Sequence, residues 1–184
     1  FCVDINFWKE LNLNKKFFLF VGSEINRDFE LALEIAIKNP LLKFVFVSNY
    51  EFKQHPSNLI IHKGSFKKPA LSDQDLRKLY NQAHCVFLPI KKQTTLTSGQ
   101  SVAMQAMSSG CPVVISDYQG LWDRNVLKNN NNIIISEHDE KNFSKILNKI
   151  QINKNILYIK KNARNLMEKK YSIDIFTNEL IKYL

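Results

Sequence analysis

Short apolar runs, each cut off near a turn-forming residue and separated by helical spacing, constrain this chain more than any other feature. The runs are Phe17–Val21 before Gly22, Lys43–Val47, Asn58–His62 shortly before Gly64, Cys85–Leu88 before Pro89, Pro112–Ser116 before Asp117, and Ile133–Ile135. Their residues are β-branched or aromatic, and they do not alternate with polar ones. Such runs suit strands buried on both faces.

Between the runs the apolar spacing becomes helical. Phe29, Leu33, Ala36 and Ile37 recur on one face, after Asn26 as the expected N-cap and before the stop at Asn39-Pro40. Leu76, Leu79, Tyr80 and Ala83 follow Ser72, and Phe143, Ile146, Leu147 and Ile150 follow Asp139. Beyond about residue 153 the strand signal ends, and two helices are expected, one to Lys170 and one from Ser172 to Leu184. Strand-helix alternation predicts a Rossmann-like three-layer α/β/α sandwich with a parallel sheet of about six strands, closed by the C-terminal helices. Right-handed crossovers bring every strand's C-terminal end to one edge, where such sheets bind ligands. The loops after Val21, Val47, Ile61, Leu88 and Ile115 are therefore where function is sought.

Composition excludes several classes. The chain has 184 residues, 45% of them apolar, enough for one globular domain with a core. No run approaches the ~20 apolar residues of a membrane span. It opens at Phe1 without an initiator Met or a leader, and is expected to be excised from a longer chain. The cysteines Cys2, Cys85 and Cys111 are far apart and odd in number, which points to a reducing, cytoplasmic setting. His55, His62, His84 and His138 lack metal-ligand spacing, so no metal is expected. The net charge of +9 admits an anionic partner. The lysines are scattered and read as a solvated face. Nucleic acid is therefore not expected, and peripheral contact with an anionic membrane on its cytoplasmic side is the remaining reading of the charge.

Two stretches carry the chemistry. Thr97-Ser98-Gly99-Gln100-Ser101 follows a strand and opens a helix. A glycine there lets a ligand approach the backbone, and a helix start offers unpaired N–H groups and the positive dipole end to a phosphate or diphosphate. The same spacing also fits a capping box between Thr97 and Gln100, which needs no ligand. Gly22-Ser23 follows the first strand, with Arg27 expected just inside the next helix. Arg27 is either a phosphate-binding fork or an exposed helix residue beside Asp28 and Glu30. No G-x-G-x-x-G is present. Ser48-Asn49 and Gly64-Ser65 either line a base pocket or punctuate strand ends. In Asp117–Asp123 (DYQGLWD), Trp122 reads as packing, and His84 and Cys85 read as core. No nucleophile set and no general base can be assembled.

Together these phrases resemble the C-terminal domain of group 1, family-four-type retaining glycosyltransferases of the GT-B fold. The likeness runs nearly end to end. It includes Val3-Asp4 with Phe7, FLFVGSEINRD from Phe18 to Asp28, and Leu79-Tyr80 through Ala83 to Leu88-Pro89. It continues in Ser98–Ser101 and in Gln105-Ala106-Met107 with Gly110 and Pro112-Val113-Val114. The resemblance implies a nucleotide-diphosphate sugar, with its base unspecified, in a cleft between this half and an N-terminal domain. It implies no cofactor and no metal. It assigns the diphosphate to the backbone of Ser98, Gly99, Gln100 and Ser101 and to Arg27, and the leaving phosphate to Gly22 and Ser23. The base falls to Ser48, Asn49, Gly64 and Ser65. It divides the chain into linker and domain start (1–16), donor-binding domain (17–170) and C-terminal helix (171–184).

The sequence departs from that family at the donor helix. Where many members carry a Glu pair, this chain has Thr97 and Gln105. Gln105 still offers hydrogen bonds to ribose hydroxyls, whereas Thr97 has no carboxylate for the donor sugar. No lysine stands between Phe29 and Ala36 to accompany Arg27, and Lys91 and Lys92 are the replacements at hand. A non-catalytic GT-B-like scaffold, or a nucleotide-binding module with a degenerate donor site, is the alternative. A fold relative that epimerises nucleotide sugars also fits the sequence.

Overall fold

The computed structural model describes residues 1–64 and 68–183. In chain order its elements are β1 (Phe17–Val21), α1 (Phe29–Lys38), β2 (Phe44–Ser48), β3 (Leu59–Lys63), α2 (Asp73–Gln82) and β4 (Ala83–Leu88). There follow α3 (Gln100–Ser108), β5 (Val113–Ser116), β6 (Ile134–Ser136), α4 (Glu140–Ile150), α5 (Ile156–Leu166), a π-helical turn (Met167–Tyr171) and α6 (Ile173–Ile181). The six strands form one parallel sheet in the order β3-β2-β1-β4-β5-β6. This is the expected Rossmann-like architecture, with β1 where it is expected and the other strands' boundaries displaced by one or two residues.

Alternation within each strand builds two cores. From β1, Leu19 and Val21 join Val86, Leu88 and Ile115 beneath Ala103, Met104 and Met107 of α3. Phe18 and Phe20 face the other way, with Phe44, Phe46 and Phe87, beneath Leu31 and Ile35 of α1 and Phe143 and Leu147 of α4. The second core carries a layer of phenylalanines across β2, β1 and β4, with Phe20 and Phe46 ring centroids 5.0 Å apart. Tilted and edge-on rings let such a layer pack without face-to-face repulsion. Val3 and Trp8 belong to the first core, and Val3 bonds the carbonyl of Tyr171 at 2.7 Å. The opening residues thus pack on the domain's own surface.

The caps show where local reading succeeds and where it is overruled. Ser72 and Asp139 cap α2 and α4 as expected, each accepting an amide three residues on. For α1 the cap is Asp28, two residues after Asn26, and its carboxylate accepts from Leu31 N at 2.9 Å. Asn26 belongs to the preceding loop because its carbonyl accepts from Lys91 N at 3.0 Å, while Asp28 N donates to Pro89 O at 2.9 Å. These bonds stitch the loop after β1 to the loop after β4. That is the point where strand order reverses and doubly wound sheets open a crevice.

Candidate functional site

The start of α3 lies above this switch point. The expected capping box between Thr97 and Gln100 does not form. Gly99 is the N-cap, in the left-handed conformation with φ +79°, and no side chain caps the helix. That backbone shape favours glycine. Among the described residues nothing accepts from the amides of Gly99, Gln100, Ser101 and Val102, and the first bonded amide is Ala103, to Gly99 O at 2.8 Å. A helix start left with its donors free is a site for an anion. Ser98 differs from the other members of the stretch. Its amide donates to Tyr118 Oη at 3.1 Å, and Tyr118 returns its own hydrogen to Ser98 O at 2.6 Å. Tyr118, from the loop after β5, therefore clamps the approach to α3.

Arg27 lies before the helix, not inside it. It is 1% exposed, among the largest fully buried side chains, so the exposed-residue reading is overturned. Its backbone pairs with Ile90 across the switch point. Its Nη1 donates to Ser98 Oγ and lies 3.3 Å from Glu24 Oε2, while Ser98 Oγ donates to the same oxygen at 2.9 Å. Burial pulls the guanidinium below its usual value, opposed by the charge of Glu24; an arginine remains protonated through such a shift. Gly22 is explained by this arginine. A Cβ there would stand 2.6 Å from Arg27 Nε and 2.7 Å from its Cγ.

The remaining loops frame a hollow of about 450 Å³ bordered by Gly22, Glu24, Arg27, Ser48, Asn49 and Gly64, with Asp73 and Val102 at its rim. Ser23 Oγ accepts from Asn49 N at 3.2 Å, and Gly64 N donates to Ser48 O at 3.2 Å, which tie the three loops together. The Ser48 hydroxyl accepts from Tyr50 N at 3.0 Å and shapes its own turn. Gly64 backs onto Ala70, whose N would lie 2.4 Å from a Cβ. Ser65 falls outside the described residues. A smaller hollow of about 110 Å³, bordered by Thr97, Gly99, Gln100, Ser101, Glu24 and Arg27, adjoins the start of α3. Gln105 is not with them: its Oε1 accepts from the buried Tyr80 hydroxyl at 3.1 Å. Lys91 borders a separate recess beside Phe29 and Tyr50, whose rings stack 4.4 Å apart.

Two features escaped the sequence. Glu24 is one. The other is a chain from Ser116 Oγ to His138 Nδ1 at 3.0 Å, and from His138 Nε2 to Asp28 Oδ2 at 3.0 Å. It has the composition of a hydrolytic triad, yet Ser116 is fully buried and its Oγ accepts from Ile90 N at 3.0 Å. The serine hydrogen then serves Nδ1 and the Nε2 hydrogen serves Asp28, so the set holds the residue next to Arg27 in place. His84 and Cys85 lie at the opposite edge of the sheet, and burial pushes the Cys85 thiol up. Among the described residues no group of three His, Cys, Asp or Glu is placed to hold a metal ion, and no helix is long and apolar enough to cross a membrane.

The family model for glycosyl transferases group 1 matches residues 4–171. Among curated proteins, none matches the sequence. Solved structures share the fold at low identity. The C-terminal domain of the group 1 family protein LpcC from Francisella tularensis superposes with a TM-score of 0.71 at 16% identity, over 93% of this chain and 99% of that one. Sucrose-phosphate synthase from Thermosynechococcus elongatus gives 0.79 at 13%, over 99% of this chain and 50% of that one. Anabaena HepE in complex with UDP gives 0.76 at 12%, over 99% and 55%. The chain thus spans about half the length of the latter two and nearly all of the isolated C-terminal domain.

Proposed function

This chain belongs to the group 1 glycosyl transferases, and from that premise we propose that it is the donor-binding half of a GT-B enzyme. It holds a nucleoside-diphosphate sugar, whose sugar passes with retention of configuration to an acceptor bound by a separate N-terminal domain. Residues 17–170 are the donor domain, 1–16 lead in from the partner domain, and 171–184 close the unit. The observation that carries the reading is the run of amides from Gly99 to Val102 without an acceptor among the described residues, beside a buried arginine at the sheet's switch point.

The chemistry asked of this half is electrostatic. As the bond from sugar to diphosphate breaks, charge grows on the phosphate oxygens. Amides and a guanidinium already in position stabilise that charge without reorganising. Burial of Arg27 strengthens its pull, because little water screens it. The larger hollow, framed by Gly22, Ser48, Asn49 and Gly64, takes the base and ribose, and the smaller one takes the diphosphate. No group here is assigned as a general base, so deprotonation of the acceptor falls to the other domain or to the leaving phosphate.

UDP is the first ligand to test, because a structural neighbour from Anabaena is a complex with it. Calorimetric titration of this chain with UDP, GDP and ADP should show heat with at least one, reduced tenfold or more by Arg27→Ala. No heat with any of the three, for a folded sample, refutes the reading. The non-catalytic alternative draws on Thr97, which lacks a carboxylate, and on Gln105, which is engaged with Tyr80. It predicts nucleotide binding by the two-domain protein without transfer from any donor.

A further inference from the structure

We propose that Glu24 is a built-in rival of the donor's diphosphate, competing for Arg27 and Ser98 and so setting how strongly the site selects for charge. The inference rests on the start of α3 being the diphosphate seat. One carboxylate oxygen of Glu24 sits 2.9 Å from Ser98 Oγ and 3.3 Å from Arg27 Nη1. Glu24 borders both the larger hollow and the smaller one at the helix start. A ligand running from one into the other passes this carboxylate.

The two partners are unequal in freedom. The Arg27 side chain is 2% exposed and that of Glu24 60%. Arg27 is held by Ser98 and overlies Gly22 with no slack. The cation is fixed and the anion is free to turn into water. An incoming phosphate therefore displaces Glu24 and leaves Arg27 where it stands. Glu24 reaches Ser98 and Arg27 but none of the amides from Gly99 to Val102. A diphosphate takes the arginine and the amides together and outcompetes the carboxylate, whereas a ligand of lower charge does so less well. Asp73 also borders the larger hollow. Among the described residues it makes no contact with Arg27, and Glu24 is the carboxylate in reach of the guanidinium.

The test is calorimetric titration of wild type, Glu24→Gln and Glu30→Gln with UDP, GDP, ADP and uridine at two salt concentrations. Glu30 is an exposed carboxylate in the first turn of α1 and controls for the change in net charge. Glu24→Gln should tighten the diphosphate that wild type binds by up to about fivefold, as expected for releasing one exposed ion pair. The gain should shrink with salt, and uridine and Glu30→Gln should show no gain. If wild type binds a diphosphate and Glu24→Gln binds it equally or more weakly, the rivalry is refuted while the seat stands. If neither protein binds any diphosphate, the seat itself is refuted.

Discussion

Replacing Gly22 by alanine adds one carbon, and its consequences follow from a single side chain. The new Cβ stands 2.6 Å from Arg27 Nε, 2.7 Å from Cγ and 2.9 Å from Cδ. These atoms are the middle of a buried side chain and cannot swing into solvent. Overpacking of this kind costs about 1–3 kcal/mol. The backbone at Gly22 is not in the left-handed region, so the alanine itself is tolerated and lowers unfolded-state entropy by about 0.4–1 kcal/mol. The net cost is about 0–2.6 kcal/mol, a fall in Tm of up to about 10 °C for a domain of this size. The guanidinium must also move from its place beside Ser98. Loss of a charge-assisted bond to the diphosphate is worth about 1.5–3 kcal/mol, so affinity for whichever of UDP, GDP and ADP the chain binds should fall about ten- to a hundredfold. The assay is a double-mutant cycle. Thermal unfolding and nucleoside-diphosphate titration are measured for Gly22→Ala, Arg27→Ala and the pair. With Arg27 gone, Gly22→Ala should cost no stability and bring a slight gain. If Gly22→Ala costs the same in both backgrounds, the glycine serves something other than Arg27, and the argument that the arginine is fixed by its stem fails.

Tyr118→Phe strands the Ser98 amide and carbonyl in a buried setting, so stability should fall by about 1–3 kcal/mol, and nucleoside-diphosphate binding should weaken as the approach to α3 loosens; unchanged binding would show that the clamp is irrelevant to the seat. His138→Ala unhooks Asp28 from Ser116, and titration should show nucleoside-diphosphate affinity reduced severalfold with α1 still capped, since Asp28 keeps its bond to Leu31. Bonds from Lys170 and then Tyr171 hold the Asp123 carboxyl below the usual carboxylate range. Its contribution to stability is complete above the ordinary value of about 3.9 and is lost as pH falls through the depressed folded value. Asp123→Asn, which tolerates the same positive φ of 49°, should therefore lower stability at neutral pH and flatten its acid dependence in denaturation curves.

Strand and helix order were legible in the sequence because they rest on neighbours along the chain. An apolar run like FFLFV is buried on both faces wherever it sits, and Ser72 and Asp139 cap helices that begin one residue later. The glycine turns were legible for the same reason, whereas the spacing of Thr97 and Gln100 left a capping box open and the structure decided for an uncapped start at Gly99. What the tertiary structure decided are contacts between residues distant in sequence. Arg27 and Ser98 are 71 residues apart, and Glu24 and Ser98 are 74 apart. Locally Arg27 reads as an exposed residue among acids, and the fold buries it by pairing the loop after β1 with the loop after β4. Gln105 likewise stands at helical spacing from the donor loop, yet it turns to a tyrosine on α2. Hydrophobic periodicity is a property of segments, whereas the partner of a buried charge is chosen by how the segments are brought together.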